Sequence, residues 1–289
     1  MEIEIDGARY HTRDTGNGAG PSSGAAVRTV VMLHGWPDDG RLWRTQSDAF
    51  AERGYRVIAP DLLGYGRSQR HTDLERYGGA RLAADLLALL DRLGVGRFDL
   101  VAHDWGAVVG WEMAAAAPER ITSYAALSVG HAGALFDLDH GTLSNLWYFL
   151  LAQTEIAPDL FRAADGAFMR FMLASHPQGE AIADRMVAEP GYLEAMRRIE
   201  LAHPVGEILH AALSGALPEP MPVRTRTLGL WGVDEELMWE PQIAGSDRFV
   251  EAEWRYERVA GAGHWLMLDQ PETVTRLLLE WAEAGPSAG

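Results

Sequence analysis

The chain of 289 residues contains no cysteine. That absence excludes a disulfide framework, a thiol nucleophile and a metal site built on thiolates. Basic side chains are also scarce, because 41 Asp and Glu face only 25 Lys and Arg, which leaves a net charge of −16 at pH 7. Such a surplus of negative charge disfavours nucleic acid and anionic membranes as partners. The sequence therefore predicts neither a disulfide-stabilised protein nor a nucleic-acid-binding one.

Long apolar runs are missing as well. No stretch approaches the roughly 20 apolar residues that a membrane-spanning helix needs. The first residues, Met1 to Gly7, alternate as a strand does and lack the basic and then apolar regions of a secretion signal. We therefore expect a soluble, cytoplasmic protein with no membrane partner. The sequence has no HExxH helix and no nucleotide-binding glycine loop, so neither a metal nor a cofactor is predicted.

Short apolar segments alternate with helical ones through most of the chain, which indicates a parallel sheet with helices on both faces. The predicted strands are Ile3–Ile5, Arg9–Arg13, Val27–Leu33, Tyr55–Pro60, Phe98–Ala102, Ile121–Val129, Thr225–Trp231 and Glu253–Ala260. The predicted helices of this alternating part are Leu42–Arg53, Leu82–Leu93, Val108–Ala117 and Pro271–Ala284. Gly, Ser and Pro between Thr15 and Ala26 favour a surface loop.

The alternation stops between residues 131 and 221, where only helical or irregular patterns occur. This interruption predicts a helical cap, 131–221, inserted into a core made of residues 1–130 and 222–289. The cap is expected over the carboxyl ends of the strands, where open α/β sheets bind their ligands. Its Leu, Met, Phe and Ala residues favour a small, apolar, uncharged substrate.

Asp104 occupies the centre of a strand-to-helix turn. The apolar strand Phe98–Ala102 precedes it, the run Val108–Ala117 follows it, and small residues flank it at positions 102, 106 and 107. This is the layout of a nucleophile elbow, where a sharp bend and a closely packed helix require small residues. A carboxylate in place of the usual serine is predicted to attack an electrophilic carbon and form an alkyl ester, which is then hydrolysed.

Such a nucleophile needs a base for the second step and an acid that orients the base. His264 follows a predicted strand and lies in a glycine-rich loop before the last helix, so we predict it to be the base. The acid is expected after the strand Thr225–Trp231, where Asp234 and Glu235 are both candidates; the spacing from Gly232 slightly favours Glu235. The order nucleophile, acid, histidine along the chain is typical of enzymes built on an elbow.

Backbone N–H groups must stabilise the oxyanion of the ester intermediate. One is expected directly after the nucleophile, at Trp105, and a second at Trp36 in the loop His34–Pro37. We therefore predict Trp36 and Trp105 as the oxyanion hole.

Four motifs, in this order along the chain, resemble those of the α/β-hydrolase fold, and within it the epoxide hydrolases and haloalkane dehalogenases that use an Asp nucleophile. They are His34–Pro37, Asp61–Ser68, His103–Gly106 and Gly261–Trp265. The resemblance covers the core and matches the insertion weakly. It implies an α/β fold class, with a mostly parallel sheet, helices on both faces and an inserted helical cap.

Residues of the cap separate the branches of this family. Epoxide hydrolases of this kind use two cap tyrosines to hydrogen-bond and protonate the departing oxygen, and the resemblance places Tyr148 as the first. Glu200 stands where the second is expected, which is a departure from the pattern. A protonated Glu200, or Tyr192 reached by a different backbone path, is a candidate substitute.

Haloalkane dehalogenases instead hold the leaving halide with two side-chain N–H donors, for which Trp105 and Trp147 are candidates. We assign His34, Trp147 and Glu200 to substrate binding.

The resemblance favours an epoxide hydrolase that converts an epoxide to a diol. A dehalogenase with the same covalent cycle, and a non-catalytic ligand-binding protein of the same fold, are the alternatives. The expected partners are water and the substrate, and a homo-oligomer is left open.

Overall fold

The computed structural model describes residues 1–16, 27–135 and 140–285, so the predicted loop after Thr15 lies largely outside the described residues. Eight strands form one sheet. They are β1 (Glu2–Ile5), β2 (Ala8–Asp14), β3 (Thr29–Leu33), β4 (Arg56–Pro60), β5 (Phe98–His103), β6 (Ile121–Leu127), β7 (Thr227–Gly232) and β8 (Trp254–Val259). Their order across the sheet is β1-β2-β4-β3-β5-β6-β7-β8.

The sheet is antiparallel only at its first edge, where β1 pairs with β2 and β2 with β4. From β4 to β8 every neighbouring pair is parallel. Each residue of β3, β5 and β7 is buried, as expected for strands covered on both faces. The predicted mostly parallel α/β sheet is therefore confirmed.

Thirteen α-helices lie in the described part of the chain. They are α1 (Arg44–Glu52), α2 (Gly79–Arg92), α3 (Trp105–Ala116), α4 (Ala132–Leu135), α5 (His140–Asn145), α6 (Trp147–Ala152), α7 (Ala157–Met172), α8 (Gly179–Ala188), α9 (Pro190–Leu201), α10 (Val205–Leu213), α11 (Glu240–Ala244), α12 (Leu266–Asp269) and α13 (Pro271–Glu283). Short 3₁₀ helices are Gly40–Trp43, Leu74–Tyr77 and Gly245–Phe249.

Two apolar clusters cover the two faces of the sheet. Successive residues of a strand point to opposite faces, and in β5 Leu100 packs into the cluster that contains Leu86 of α2, whereas Val101 packs into the cluster that contains Leu278 of α13. Helices α2 and α3 pack together on one side, and α1 and α13 on the other. Both faces of the sheet are thus covered by packed helices. A site accessible to a ligand is therefore expected at the carboxyl ends of the strands.

Helices α4 to α10 fill the interval between β6 and β7. They occupy the stretch predicted for the cap, whose limits, 131–221, stay a proposal. Helix α7 leaves helical geometry at residues 163–166 and then resumes. Across the ranges that the structure describes, no helix is both long and apolar enough to cross a membrane.

Candidate active site

The backbone at Asp104 is sharply bent. This residue joins β5 to α3 with φ 53° and ψ −125°, a conformation that costs a residue with a side chain about 1–3 kcal/mol. Two glycines make the bend sterically feasible. A Cβ on Gly106 would lie 2.5 Å from the carbonyl oxygen of His34, and a Cβ on Gly35 would collide with the Asp104 carboxylate. The predicted elbow therefore forms, with its carboxylate seated over Gly35.

Two groups hold the Asp104 carboxylate. The backbone N–H of Trp36 donates to Oδ1 at 2.6 Å, and the imidazole Nε2 of His264 lies 3.6 Å from Oδ2. The backbone amide of Trp105 also favours the charged form of the carboxyl group. Both predicted oxyanion donors thus face the carboxyl group on which an oxyanion would develop.

The structure brings Glu235, and not Asp234, to His264. Oε2 of Glu235 accepts a hydrogen bond from Nδ1 of His264 at 2.8 Å, and its side chain is fully buried. Oε1 of the same carboxylate accepts from the backbone N–H groups of Leu237 and Met238. Asp234 is exposed, and its backbone N–H donates to the carbonyl of Ala262. The geometry therefore supports Glu235, and not Asp234, as the orienting acid.

His264 is held in place by two side chains that were not predicted from the sequence. Nε2 of His103 lies 2.9 Å from the carbonyl oxygen of His264, and the hydroxyl of Ser128 donates to the same oxygen at 3.0 Å. The rings of His103 and His264 are 4.7 Å apart. Only the position of His103, next to Asp104, offered a signal in the sequence.

The charges of this group are interdependent. Burial by itself would lower the pKa of His264, but the Glu235 and Asp104 carboxylates outweigh it and raise that pKa to about 10. Burial would likewise raise the pKa values of Asp104 and Glu235, yet contact with His264 holds both below their usual range. Burial lowers the pKa of His103 to about 4. Near neutral pH the site thus holds two carboxylates, one imidazolium and one neutral imidazole.

A narrow cavity of about 40 Å³ lies between the elbow and the helical insertion. Asp104 and His264 form its floor, and Tyr148 and Glu200 reach it from α6 and α9. The remaining lining is mostly apolar: Trp36, Trp105, Phe149, Ala152, Phe161, Phe168, Met169, Met172, Leu193, Arg197 and Leu237. Such a cavity suits a small uncharged ligand.

Tyr148 and Glu200, two cap side chains in the cavity that can carry an acidic proton, differ in acidity. The Tyr148 hydroxyl lies 3.4 Å from the sulfur of Met238, and burial, with the nearby carboxylates, raises its pKa well above the usual value of a phenol. Burial and the charge of Asp104 raise the pKa of Glu200 to about 8, against the opposing charge of Arg197. The predicted Tyr148 and Glu200 therefore both face the nucleophile.

The predicted substrate-binding residues His34 and Trp147 do not line this cavity. The N–H of Leu62 donates to Nε2 of His34, and Nδ1–H of the same ring donates to the carbonyl of Gly35, so this buried imidazole joins two loops and has no nitrogen free for a ligand. Trp147 is 45% exposed, and its ring packs against those of Tyr148 and Phe168. The structure therefore does not bring these two predicted residues into the lining of the cavity.

Tyr192 also stays outside the cavity. Its ring lies 3.9 Å under the guanidinium of Arg185, and its hydroxyl is 3.4 Å from the carbonyl oxygen of Pro37. It is therefore no substitute for a second cap tyrosine.

Comparison with known proteins matches residues 28–271 to the family described as alpha/beta hydrolase fold. Epoxide hydrolase A of Mycobacterium tuberculosis is 30% identical, over 96% of this chain and 95% of that protein. Epoxide hydrolase 3 of Xenopus tropicalis is 28% identical, over 97% of this chain and 76% of that protein. A crystal structure of an epoxide hydrolase from Bacillus megaterium, in complex with an inhibitor, superposes with a TM-score of 0.82 at 21% identity and covers 98% of this chain and 99% of that one.

Proposed function

The chain belongs to the α/β-hydrolase fold family, and we propose that it is an epoxide hydrolase that opens its substrate through an ester on Asp104. The observation that carries this proposal is the row Glu235–His264–Asp104 beneath a cavity into which Tyr148 projects. The relatives named epoxide hydrolase support the same reaction.

In the first step, a carboxylate oxygen of Asp104 attacks an epoxide carbon. The bond from that carbon to the epoxide oxygen breaks, and the oxygen receives a hydrogen bond from Tyr148 and a proton from the cap. The low pKa of Asp104 keeps it anionic and therefore nucleophilic. The product is an alkyl ester that carries a new hydroxyl group.

In the second step, water attacks the ester carbonyl. Ester formation removes the Asp104 charge and the contact that help to raise the pKa of His264, so the imidazolium releases its proton to solvent and the neutral imidazole becomes a base. It then takes a proton from the attacking water, while the N–H groups of Trp36 and Trp105 stabilise the oxyanion. The intermediate collapses as the bond between the carboxyl carbon of Asp104 and the substrate oxygen breaks, and that oxygen takes the proton of the added hydroxyl group. The diol leaves, and a carboxylate remains beside an imidazolium, which is the state that the free protein favours.

The cap indole predicted as the second halide donor, Trp147, does not line the cavity, which weighs against the dehalogenase. Tyr148, which supplies a hydrogen-bond donor that an alkoxide leaving group needs, favours the epoxide. Hydrogen bonds fix Glu235 and orient His264 toward Asp104, and this arrangement favours a catalytic protein over one that only binds a ligand.

The cavity lining supports a small, apolar, uncharged epoxide as substrate. A homo-oligomer and a cytoplasmic location stay predictions. Light scattering of the purified protein and fractionation of its host cells test these two points.

The reaction is tested by incubating the protein with styrene oxide, 1,2-epoxyhexane and 1-bromohexane and measuring diol and bromide. We expect diol from at least one epoxide and no bromide. In His264→Gln, which has lost the base of the second step, mass spectrometry should find the ester on the Asp104 peptide.

The control for this experiment is His210→Gln, which changes an exposed cap histidine in the same way. It should turn over as the wild type does and accumulate no ester. Diol formation with an unmodified Asp104 peptide in His264→Gln would sink the covalent mechanism, and bromide release alone would assign the dehalogenase.

A further inference from the structure

Glu200 is a buried carboxyl group without a partner. It is 8% exposed and opens into the cavity above Asp104. Its backbone carbonyl accepts from the side chain of Gln153, but its carboxyl group makes no hydrogen bond or ion pair within the described ranges. Burying a charged group without a partner is costly, so the neutral acid is the favoured form.

Charged and titratable groups face Glu200 from several elements. Arg197, one turn earlier on α9, is a cation whose charge acts on Glu200, but its guanidinium is bound to the carbonyls of Ala152 and Thr154 and to Glu194. This leaves Glu200 without a counter-ion in contact.

The imidazolium of His264 lies on the cavity floor but is paired with Asp104 and Glu235, and the other facing groups are acids. Asp104 acts from the elbow, Tyr148 from α6 and Tyr65 from the loop after β4. The Tyr65 hydroxyl donates to the carbonyl of Met196 and is therefore occupied. Among the described residues that line the cavity, two cap groups then remain as donors to a substrate oxygen: Tyr148, whose hydroxyl donates to the weakly accepting sulfur of Met238, and Glu200.

We propose that Glu200 is the catalytic acid that protonates the epoxide oxygen, while Tyr148 donates a hydrogen bond to the same oxygen and keeps its own proton. This inference rests on the proposed function. As a carboxylate oxygen of Asp104 bonds to the epoxide carbon, the electron pair of the breaking C–O bond stays on the epoxide oxygen. That oxygen takes the proton of the Glu200 carboxyl group, and the resulting carboxylate regains a proton from solvent before the next turnover.

Acid strength decides between the two donors. The pKa of Glu200 is about 8, whereas that of Tyr148 lies well above the usual value of a phenol. A general acid works best when its pKa lies near the working pH. Glu200 is therefore protonated at neutral pH and still gives up its proton far more readily than Tyr148.

The test measures each half-reaction separately. The protein is mixed with the epoxide that the wild type opens fastest, quenched with acid at timed intervals between pH 6 and 9.5, and the ester on the Asp104 peptide is quantified by mass spectrometry. Ester formation in the wild type should slow as the pH rises through about 8. Glu200→Gln should form the ester about 10²-fold or more slowly at pH 7 and lose this pH dependence.

The second half-reaction provides the control for structure. Hydrolysis of the ester should stay within a few-fold of the wild type in Glu200→Gln, because the acid acts only in ring opening. Glu207→Gln, on the exposed surface of α10, should match the wild type in both steps. If Glu200→Gln does not fold, Glu200→Asp replaces it, and this variant should keep a pH dependence of ester formation.

Three results would overturn the assignment of Glu200. The first is ester formation in Glu200→Gln at the wild-type rate and with the wild-type pH dependence. The second is an equal loss of rate in ester formation and ester hydrolysis in Glu200→Gln. The third is ester formation that does not depend on pH in Glu200→Asp. Each of these leaves the Asp104 ester in place. Absence of any ester in the wild type and in His264→Gln would instead overturn the proposed function itself.

Discussion

Neighbouring carboxylates in one turn meet different surroundings. Glu235 turns inward, where two backbone N–H groups fix one oxygen and His264 binds the other. Asp234 turns into solvent. The carboxylate of Glu235 accepts a hydrogen bond from the proton-bearing Nδ1 of His264, and Nε2 of the same ring therefore faces Asp104.

Replacing these two residues by their amides separates their functions. Glu235→Gln keeps the size of the side chain but removes the charge that stabilises the imidazolium, so turnover should fall by about 10⁴-fold, as in a serine triad that loses its acid. The pKa of His264, about 10 in this site, should fall in the same variant because its largest raising influence is lost.

Steady-state assays and NMR titration of the histidine ring measure these two effects. Asp234→Asn is the matched control and should stay within a few-fold of the wild type. Equal and mild losses in both variants would mean that Glu235 does not orient the base.

At the level of the element, the elbow depends on how closely α3 approaches β3. Gly106, in the first turn of α3, lies against the carbonyl oxygens of Leu33 and His34 at the end of β3. Any side chain there must push helix and strand apart, because the contacts are to backbone, which does not move aside as a side chain does. The same displacement would shift Asp104 relative to the N–H of Trp36.

Gly106→Ala should therefore lower the free energy of unfolding by about 1–3 kcal/mol, as overpacking does, and should slow ester formation as well. Gly96→Ala is the control, since a Cβ at that loop position meets nothing within 4 Å. It should leave stability unchanged or raise it by up to about 1 kcal/mol. Urea denaturation measures both, and a Gly106→Ala variant as stable as Gly96→Ala would show that α3 can shift freely.

For the molecule as a whole, the net charge of −16 acts against compactness. Like charges repel across the surface, and the many exposed ion pairs, such as Arg53–Glu283 and Arg276–Glu280, offset little of this repulsion in water. Salt screens interactions between exposed charges over about 10 Å at 0.1 M. Repulsion should therefore weaken as salt is added.

We expect the melting temperature at pH 7 to rise by a few degrees when NaCl is raised from about 20 mM to about 200 mM, because screening lessens the net repulsion. The control is the same comparison at pH 5.0, near the isoelectric point of the sequence, where the effect should vanish. Circular dichroism measures both. A fall in melting temperature at pH 7 would show that attractive ion pairs outweigh the repulsion.

Local sequence by itself determined the sheet, its strands and the elbow. Continuous apolar runs of strand length indicate strands that are buried in a sheet covered on both faces. Small residues around Asp104 permit the sharp backbone bend of the elbow, and both features can be read from the local sequence. The spacing of motifs also pointed to His264, because the residue type and the end of a strand are both local properties.

Tertiary structure decided the rest of the site. Whether Asp234 or Glu235 turns inward depends on where the backbone N–H groups of Leu237 and Met238 point, and these positions follow from the packing of the whole turn. The exclusion of His34 and Trp147 from the cavity, and the contact of His103 with the His264 carbonyl, join segments far apart in the chain. A sequence specifies such contacts only through the fold, because they require distances and orientations that no local pattern contains.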